Sequence, residues 1–436
     1  MGRDGEVARY QEPRPHRDAL SGERPEASRG AARREAGKGS VYQRLFLQVL
    51  DRQLLGARIR LQLDGQTLLA GHSPAGALRR SELTVQVHHP DFFRKVVCYG
   101  NLGLGEAYMA GDFDVADDAL PDLLTLLLRS GVDRVVAADL RLALRYVGIR
   151  LRNVLAGKAW NVQRHYDLGD DLFESFLDPT LTYSCGYAES PHDDLERLQQ
   201  NKLDRICAKL RLQPGDHLLD IGCGYGGLLI HAARRFGVTG MGVTVSRRHF
   251  EGARRRVAEA GLSARLAVEF LDYRHLRGRF SKVASVGMME HLERREYQRF
   301  FGMIASVMAP SSLGLLHTIG CNARRNRHDP FIQRYVFPGS ATPRLSEISR
   351  QLEAHNLAIL DVENLVRHYA HTVQRWWERF RARGHTLDGV KYDAIFKRMW
   401  EYYLACGMAA ARVGDCALYQ VLFTNDYTRD LALQRV

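Results

Sequence analysis

The stretch LLDIGCGYGG at residues 218–227 decides the fold of this chain. Its first four residues are typical of the end of a buried strand, and the glycines that follow are typical of a tight turn into a helix. Glycines at this spacing let the backbone turn sharply and let a ligand lie against it without meeting a Cβ atom. Because the following helix begins with unpaired N–H groups, the stretch predicts a nucleotide-type binding loop.

Three kinds of ligand compete for this loop. A phosphate-binding P-loop needs Gly-Lys-Ser or Gly-Lys-Thr at its end, and neither is present. A dinucleotide site needs an acidic residue about 20 positions on, at the end of the next strand, but the strand predicted for 238–243 ends in Thr244-Val245-Ser246. S-adenosylmethionine needs no phosphate cradle, and Asp220 suits its positively charged end. These residues favour S-adenosylmethionine, and a tight turn without a ligand is the structural alternative.

A parallel α/β sheet is predicted from about residue 160 onward, because strand and helix patterns alternate there. The predicted strands are 217–221, 238–243, 267–271, 282–286, 314–319 and a late strand at 418–424. Ligands of such sheets lie at the carboxyl ends of the strands. Polar residues stand at or just beyond these ends, namely Asp220, Thr244, Asp272, Glu290 and His317. We therefore expect them to converge on one edge of the sheet.

Composition narrows the class of protein. The chain has 436 residues, of which 45% are hydrophobic, enough for two or three packed domains. Its mean hydropathy is −0.30, and no apolar run approaches the length of about 18 residues that a membrane span requires. The N-terminus lacks the apolar segment of a secretory signal. Seven cysteines without a CxxC pair favour reduced thiols in a cytosol and argue against a zinc site, so no metal is predicted.

The charge balance indicates an anionic partner. The formal net charge is +12 and the isoelectric point is about 9.4, which is typical of proteins that meet nucleic acid or an anionic membrane surface. The alternative is that the arginine pairs and triplets are solvated helix faces. Since the sequence contains no recognised nucleic-acid-binding motif, we predict peripheral contact with an anionic membrane and no nucleic-acid partner.

The N-terminal part is organised differently from the rest. Residues 1–40 contain almost no large apolar side chain and are predicted to be disordered. Residues 41–130 are predicted to form a small α+β domain, with helices at 42–55 and 122–129 and strands at 57–63, 66–70 and 83–87. Residues 131–160 are predicted to be a linker with an amphipathic helix at 134–156, which either packs on the next domain or faces a membrane with a basic rim. Residues 161–436 then form the catalytic domain.

Further motifs accompany the glycine loop in a fixed order. They are HYDLG at 165–169, LDPTLTYSCGY at 177–187, GMMEH at 287–291, LHTIG at 316–320, FIQRYVFPG at 331–339 and RMWEYYL at 398–404. Together they resemble the cyclopropane-fatty-acyl-phospholipid synthase family, the methyltransferases that include the mycolic acid cyclopropane synthases. The resemblance runs through about residues 157–425. Residues 41–130 resemble, less specifically, the lipid-side domain of the bacterial phospholipid enzymes.

The resemblance implies a fold and an activity. The fold is a class I S-adenosylmethionine-dependent methyltransferase, a Rossmann-like seven-stranded sheet with inserted helices. The enzyme transfers a methyl group from S-adenosylmethionine to a cis double bond of a phospholipid acyl chain, a methyl hydrogen is lost to bound bicarbonate, and the ring closes. A related fatty-acid C-methyltransferase with a methyl-branched product is the alternative. The family also suggests a homodimer, located in the cytoplasm at the inner face of the membrane.

The family's site residues map onto this sequence motif by motif. The cofactor contacts that this implies, together with Asp220 and the less typical His249, are Tyr183, Ser184, Gly222, Gly224, Thr244, Val245, Asp272 and Tyr273. The implied bicarbonate cage consists of Cys185, Glu290, His317, Ile319 and Tyr369. The chain departs from the family at Tyr225, where tryptophan is usual, at His249, where glutamine is frequent, and at Ala370, where aspartate is frequent.

The residue types in the cage suit the chemistry. An alkene is a poor nucleophile, so a cationic sulfonium must be held in near-attack geometry. Aromatic faces can stabilise the carbocation that follows, and the candidates are Tyr183, Tyr273, Phe331, Tyr335, Phe337 and Trp400. A hydrogen-bonded anion in a dry pocket can then take the proton. The structural alternatives are a helix cap for Glu290, a satisfied buried histidine for His317 and a small core residue for Cys185.

Overall fold

The computed structural model describes residues 40–54, 56–72, 82–132, 169–321, 329–338, 340–426 and residue 428. The segment predicted to be disordered lies outside these ranges except for Ser40. The predicted amphipathic helix at 134–156 and the first four residues of the 165–169 motif also lie outside them. Within the described ranges, no helix combines the length and the apolar composition needed to cross a membrane.

The N-terminal layer, residues 41–130, is a small sheet covered by helices. Its helices are α1 (Val41–Gln53), α2 (Asp91–Tyr99), α3 (Asn101–Met109) and α4 (Leu120–Ser130). Its strands are β1 (Arg58–Leu63), β2 (Gln66–Ala70), β3 (Glu82–Val87) and β4 (Phe113–Val115), in the order β2-β1-β3-β4. The predicted elements of this layer are confirmed to within two residues at each end. Helices α2 and α3 and strand β4 were not predicted.

The catalytic part is built on a seven-stranded sheet. Its strands are β5 (His217–Ile221), β6 (Thr239–Thr244), β7 (Leu266–Phe270), β8 (Phe280–Val286), β9 (Met308–Cys321), β10 (Ala358–Asn364) and β11 (Cys416–Thr424). Their order is β10-β11-β9-β8-β5-β6-β7. Strand β11 pairs antiparallel with both β10 and β9, and the other described pairs of this sheet are parallel. The predicted strands are confirmed, and β10 is an addition, since its half-buried residues show no regular alternation.

Helices cover both faces of this sheet. In chain order they are α5 (Asp170–Phe176), α6 (Leu195–Lys209), α7 (Gly227–Phe236), α8 (Arg247–Glu259), α9 (Tyr297–Val307), α10 (Pro330–Tyr335), α11 (Leu345–Ala354), α12 (Val366–Arg383) and α13 (Ala394–Val413). With β5 lying between β6 and β8, the glycine loop that follows β5 leaves from the centre of the sheet. The predicted α/β fold is therefore confirmed.

The N-terminal layer shares one hydrophobic core with the catalytic part. A single cluster of buried side chains joins Phe92 and Phe113 of the layer to Trp400 and Tyr402 of α13. The ring of Tyr108 lies 5.9 Å from that of Tyr402. Burial of aromatic surface of this size is a major source of stability. The layer therefore supports α13, which also contributes Trp400 and Tyr403 to the aromatic group described below.

Arg398 on α13 is the polar counterpart of this contact. Its guanidinium donates to the carbonyl oxygens of Tyr108 and Phe113 and to the carboxylate of Asp114, and it lies 3.9 Å from the centre of the Tyr108 ring. We expect Arg398→Ala to lower the free energy of unfolding by about 2–3 kcal/mol, because several acceptors lose a charged donor. Chemical denaturation measures this.

Arg412→Ala is the matched control. Arg412 also lies on α13 and reaches the N-terminal layer, but its ion pair with Asp122 is largely exposed. Exposed pairs contribute less than about 1 kcal/mol. Equal losses in the two variants would contradict a special role for Arg398.

Candidate active site

The glycine loop is held against the neighbouring strand by its own backbone. The N–H groups of Gly222 and Cys223 donate to the carbonyl oxygen of Val243 at 2.9 and 3.1 Å. Gly222, Gly224 and Gly226 have φ values of 80°, 52° and 77°, a region that side chains with a Cβ atom rarely adopt. The two predicted cofactor glycines thus sit where only glycine is unstrained.

Asp220 lies at the end of β5, directly before this loop. It is only 3% exposed, and its Oδ1 has no hydrogen-bond partner among the described residues. Burial raises its pKa to about 7, although the charge of Lys202 works in the opposite direction. A buried carboxylate without partners is costly unless a ligand pairs with it. Asp220 therefore suits a cationic group.

The segment around Ser184 is fixed over the sheet by helix α6. Gln199 Nε2 donates to the Ser184 carbonyl oxygen at 2.9 Å, and Lys202 Nζ donates to Ser184 Oγ at 3.0 Å. A Cβ atom on Gly287 would lie 3.6 Å from the Ser184 Cβ and 3.9 Å from Glu290 Oε1. The cofactor motif and the cage motif therefore meet at this point.

Gln199 and Lys202 did not emerge from the sequence as site residues. The signal was present, because both are polar residues that interrupt the buried face of α6 formed by Leu195, Leu198 and Ile206. A polar residue on the apolar face of an amphipathic helix indicates a buried partner.

The other predicted cofactor residues lie around the ends of β6 and β7. Thr244 is buried, and its Oγ1 accepts from the Ser246 N–H at 3.2 Å. Val245 is 66% exposed, so its side chain lies at the protein surface next to the end of β6. The ring of His249 lies edge-on at 4.8 Å from that of Tyr225, and burial lowers its pKa. Tyr225, in the position usually held by tryptophan, donates its hydroxyl to Asp170.

Asp272 and Tyr273 follow β7. Arg274 donates to both carboxylate oxygens of Asp272, at 2.9 and 2.6 Å. Partial burial would raise the pKa of Asp272, but the hydrogen bonds and charge of Arg274 outweigh it and lower that pKa. The Tyr273 hydroxyl is buried without a hydrogen-bond partner in the described part of the chain. Its ring packs edge-on against Phe300 at 5.4 Å.

Glu290 lies four residues beyond the end of β8, and its side chain contacts the neighbouring strand β9. Its Oε2 accepts from the Thr318 hydroxyl at 2.7 Å, and its Oε1 faces the Ile319 N–H at 3.4 Å. The last backbone bond between the two segments runs from Gly287 N–H to the His317 carbonyl oxygen. Beyond that bond, the Glu290 carboxylate is the group that accepts from the Thr318 hydroxyl and faces the Ile319 N–H of β9.

His317 is fully buried on β9. Its Nδ1 accepts from Gln420 Nε2 at 3.2 Å, which leaves the proton of a neutral ring on Nε2. Burial lowers the His317 pKa to about 3, and the charges of Lys202 and Lys209 act in the same direction. Nε2 is buried and has no partner among the described residues. One ring nitrogen is thus satisfied, and the other is free to donate to a ligand.

Cys185 and Tyr369 complete the predicted cage. Burial raises the Cys185 pKa to about 12, so the thiol is neutral and is not a nucleophile. Burial also raises the pKa of Tyr369 well above its usual value, and the neighbouring Tyr403, Cys416, Cys185 and Glu290 raise it further. The structure therefore brings Cys185, Glu290 and Tyr369 into one neighbourhood, with Ile319 hydrogen-bonded to Glu290.

The hydroxyl of Thr318 holds the Glu290 carboxylate, which leads to a prediction. We expect Thr318→Val to lower kcat/KM about tenfold, because the half-buried Glu290 carboxylate loses one donor, which costs about 1–2 kcal/mol, and with it its orientation. Steady-state kinetics measure this, while affinity for S-adenosylhomocysteine stays unchanged. Thr239→Val is the control, since that hydroxyl pairs with His217 at the opposite end of the sheet. An unchanged rate in Thr318→Val would show that this hydrogen bond does not position Glu290.

Several aromatic rings pack together around Tyr183, which directly precedes Ser184 and Cys185 in the chain. The Tyr183 ring lies 5.1 Å from Trp376, and its hydroxyl pairs with that of Tyr403. Tyr403 in turn packs against Trp400 at 5.1 Å and Phe337 at 5.8 Å. Of the predicted carbocation partners, Tyr183, Phe337 and Trp400 therefore belong to one group, and sequence reasoning missed Trp376 and Tyr403.

The remaining aromatic candidates lie elsewhere. Phe331 and Tyr335 pack together at 5.0 Å, and Phe331 contacts Tyr402. The Tyr335 hydroxyl donates to Glu106 of the N-terminal layer. Tyr273 belongs to a separate cluster with Phe300. Phe331, Tyr335 and Tyr273 therefore pack on other residues and are not part of the Tyr183 group.

The site fits two kinds of bound group. The unpartnered Asp220 Oδ1 beside a glycine loop suits the cationic amino-acid end of S-adenosylmethionine. His317 Nε2, which has no partner among the described residues, suits an oxyanion. The Cys185 thiol donates to the Gly186 carbonyl oxygen at 3.0 Å, so it would have to turn from that acceptor to bind an anion.

Comparison with known proteins gives consistent results. The profile of the mycolic acid cyclopropane synthetase family matches residues 155–421. The cyclopropane-fatty-acyl-phospholipid synthase of Escherichia coli K12 is 38% identical over 353 residues, which cover 80% of this chain and 90% of that protein. The tuberculostearic acid methyltransferase UfaA1 of Mycobacterium tuberculosis is 35% identical over 357 residues, covering 77% of this chain and 81% of that protein.

A solved structure is similar over the catalytic part. The mycolic acid cyclopropane synthase CmaA1, complexed with SAH and CTAB, superposes with a TM-score of 0.56 and 29% identity. The match covers 60% of this chain and 96% of that one. It supports S-adenosylmethionine as the cofactor of the fold described above.

Proposed function

Because this chain belongs to the mycolic acid cyclopropane synthetase family, it is an S-adenosylmethionine-dependent methyltransferase that modifies lipids, and we propose that it converts cis double bonds of phospholipid acyl chains into cyclopropane rings. The observation that carries this proposal is the placement of Glu290. Its carboxylate is held by Thr318 and Ile319; Gly287 adjoins both this carboxylate and Ser184 of the cofactor motif, and Tyr369 interacts electrostatically with Glu290. Cage residues grouped in this way suit removal of a proton from a methylated alkene.

The cofactor residues have distinct proposed roles. Asp220 pairs with the ammonium of the methionine end of the cofactor, and Gly222 and Gly224 let it lie against the backbone. Tyr183 and Ser184 would also contact the cofactor. Thr244, Val245, His249, Asp272 and Tyr273 surround the adenosine end. S-adenosylmethionine, when bound, supplies an electrophilic methyl group.

The cage residues have roles in handling a proton. His317 Nε2, the Cys185 thiol, the Ile319 N–H and the Tyr369 hydroxyl provide donors for a bound bicarbonate, and Glu290 orients this set as an acceptor. Bicarbonate, when bound, supplies a base without requiring a side chain to reach the substrate. The alkene's π electrons would form the bond to the methyl carbon as the bond from that carbon to the sulfonium sulfur breaks with its electron pair going to sulfur; a methyl proton would then pass to the base, and the electrons of that C–H bond would close the ring. The faces of Tyr183 and Trp400 stabilise the intervening cation.

The phospholipid substrate is supported by the length of the similarity. The match to the E. coli enzyme covers 353 residues, more than residues 155–421 of the family profile contain, so it extends into the N-terminal layer. That layer braces the aromatic group through α13 and also contacts Tyr335.

Product analysis tests the proposal. Purified protein is incubated with S-adenosylmethionine, bicarbonate and liposomes of cis-unsaturated phospholipid, and the fatty acids are analysed by mass spectrometry. A product one CH₂ heavier that resists mild hydrogenation is the expected cyclopropane. A heavier product that hydrogenates is a branched alkene and would support a fatty-acid C-methyltransferase, the alternative that similarity to a methyltransferase such as UfaA1 favours. Unchanged acyl chains would overturn both.

Membrane contact leads to a separate prediction. Several arginines of helices α7 and α8 are exposed, namely Arg234, Arg235, Arg247, Arg254 and Arg255. We expect binding to liposomes to strengthen with anionic lipid and to weaken as salt rises, because exposed charges are screened beyond about 10 Å at 0.1 M salt. Sedimentation with vesicles measures this. Binding that changes neither with the fraction of anionic lipid nor with the salt concentration would show that these arginines are only solvated. Peripheral attachment at the inner membrane face and a homodimer remain parts of this proposal.

A further inference from the structure

Lys202 is a buried cation behind the predicted cage. It is 1% exposed, and its Nζ donates to Ser184 Oγ at 3.0 Å. It forms no ion pair with any described carboxylate. Burial lowers its pKa to about 8, while Asp178, Cys185 and Asp220 work in the opposite direction, so it is mostly charged at neutral pH. A buried ammonium that lacks an ion pair is costly, and this cost calls for a function.

The cage contains no positive charge of its own. Cys185 and Tyr369 are neutral because burial raises their pKa values, and His317 is neutral because burial lowers its pKa. Glu290 is an acidic side chain and supplies no cation either. Moving an anion into such a place is unfavourable unless a cation compensates it.

Lys202 is placed to compensate an anion there. Its hydrogen-bond partner Ser184 directly precedes Cys185, and its charge lowers the pKa values of both Cys185 and His317. Cys185 and His317 belong to different segments of the chain, so the charge of one ammonium acts on two separate parts of the cage. Lys209, the next buried lysine of α6, is already paired with Glu363 at 2.8 Å and Asp361 at 3.4 Å.

We propose that Lys202 is a positioning residue whose ammonium is the fixed counter-charge for the anionic base in the cage, and whose hydrogen bond holds Ser184 and Cys185 in register with it. This inference rests on the proposed function. It predicts that Lys202 governs the affinity for bicarbonate, while Asp220 governs the affinity for the cofactor.

Thermal stabilisation by sodium bicarbonate tests this without turnover. The protein is saturated with S-adenosylhomocysteine in carbonate-depleted buffer, and sodium chloride keeps the ionic strength constant. We expect Lys202→Gln to raise the half-stabilising bicarbonate concentration at least about tenfold, and Lys202→Arg to stay within about threefold of the unaltered protein, because the second variant keeps the charge. Calorimetry with S-adenosylhomocysteine should show less than about a threefold change in both variants.

Lys209→Gln is the matched control. It removes another buried lysine from the same helix. The charge of Lys209 also acts on His317, but it is balanced by Glu363 and Asp361, so we expect a lower melting temperature with an unchanged bicarbonate response. If Lys202→Gln responds to bicarbonate as the unaltered protein does, the role of Lys202 is overturned, while the proposed anionic base stands. Absence of any response in the unaltered protein would overturn the proposed anionic base and this inference with it.

A pH series on the unaltered protein keeps the inference testable if Lys202→Gln does not fold. The titratable groups that interact with Lys202 are Asp178, Cys185, Asp220, His231 and His317. Of these, Asp220 has its pKa near 7, and Cys185 and His317 are neutral above it. Burial lowers the pKa of His231 below its usual value, so this ring is also neutral in the pH range tested. Between about pH 7.5 and 9 the bicarbonate affinity should fall several-fold, because Lys202 loses its proton near pH 8. A flat profile would overturn the inference.

Discussion

Replacing Glu290 by glutamine is expected to lower kcat about 10²- to 10³-fold, the usual effect of removing one preorganised charged group from an active site. The substitution keeps the size of the side chain but offers one oxygen where Thr318 and Ile319 now face two. The amide nitrogen then meets a donor, and the cage loses its orientation. Steady-state kinetics with liposomes measure the loss.

Affinity for S-adenosylhomocysteine separates a cage role from a cofactor role. We expect it to change by less than about threefold in Glu290→Gln, because the carboxylate contacts β9 rather than the glycine loop. A loss of cofactor affinity as large as the loss of rate would contradict the cage assignment. Glu293→Gln is the control, since Glu293 lies close in sequence and pairs with an exposed arginine.

Replacing Asp220 by asparagine should instead weaken cofactor binding. A charged hydrogen bond contributes about 1.5–3 kcal/mol, so we expect the dissociation constant for S-adenosylhomocysteine to rise about 10- to 100-fold. Calorimetry measures this directly. Asp216→Asn is the matched control: Asp216 is buried at the opposite end of β5 and accepts from Ser281 at 2.8 Å, so its loss should affect stability only. Equal cofactor affinity in Asp220→Asn and the unaltered protein would show that Asp220 is structural.

The pKa of Asp220 gives this binding a pH dependence. Burial raises that pKa to about 7, so the carboxyl group is protonated and neutral below pH 7 in the free protein. A cationic ligand pairs only with the ionised form. Affinity should therefore fall as pH falls through 7 and level off above it, and Asp220→Asn should abolish the slope. A slope that persists in the variant would assign the titration to another group.

The sequence predicted the parts of the site that depend on local signals. The glycine loop, Asp220 and the positions of Thr244 and Glu290 at strand ends were located from short patterns. His317 was expected at a strand end as well, but it lies four residues inside β9, which continues to Cys321. A glycine turn after a strand is recognisable locally, because glycine adopts backbone angles that other residues rarely adopt. Parallel strands then bring their carboxyl ends to one edge of the sheet. The cage membership of Ile319 and Tyr369 came from the family resemblance instead.

The sequence predicted less well where signals are weak or shared. Strand β10 was missed because its residues are half-buried without alternation. Residues 41–130 had the pattern of a small domain, but the structure joins their core to α13 through Phe92 and Trp400. A hydrophobic pattern shows that a side chain is buried, but does not show which partner buries it.

By itself, then, the sequence determined the α/β sheet, the S-adenosylmethionine loop and the residues at the strand ends, because backbone periodicity and glycine conformation are local properties. Only the tertiary structure decided that Lys202 and Gln199 of α6 hold Ser184, that Gln420 orients His317, and that Trp376 and Tyr403 join Tyr183. These side chains lie far apart in the chain. Buried polar groups need partners, and packing of helices on the sheet determines which partners they meet.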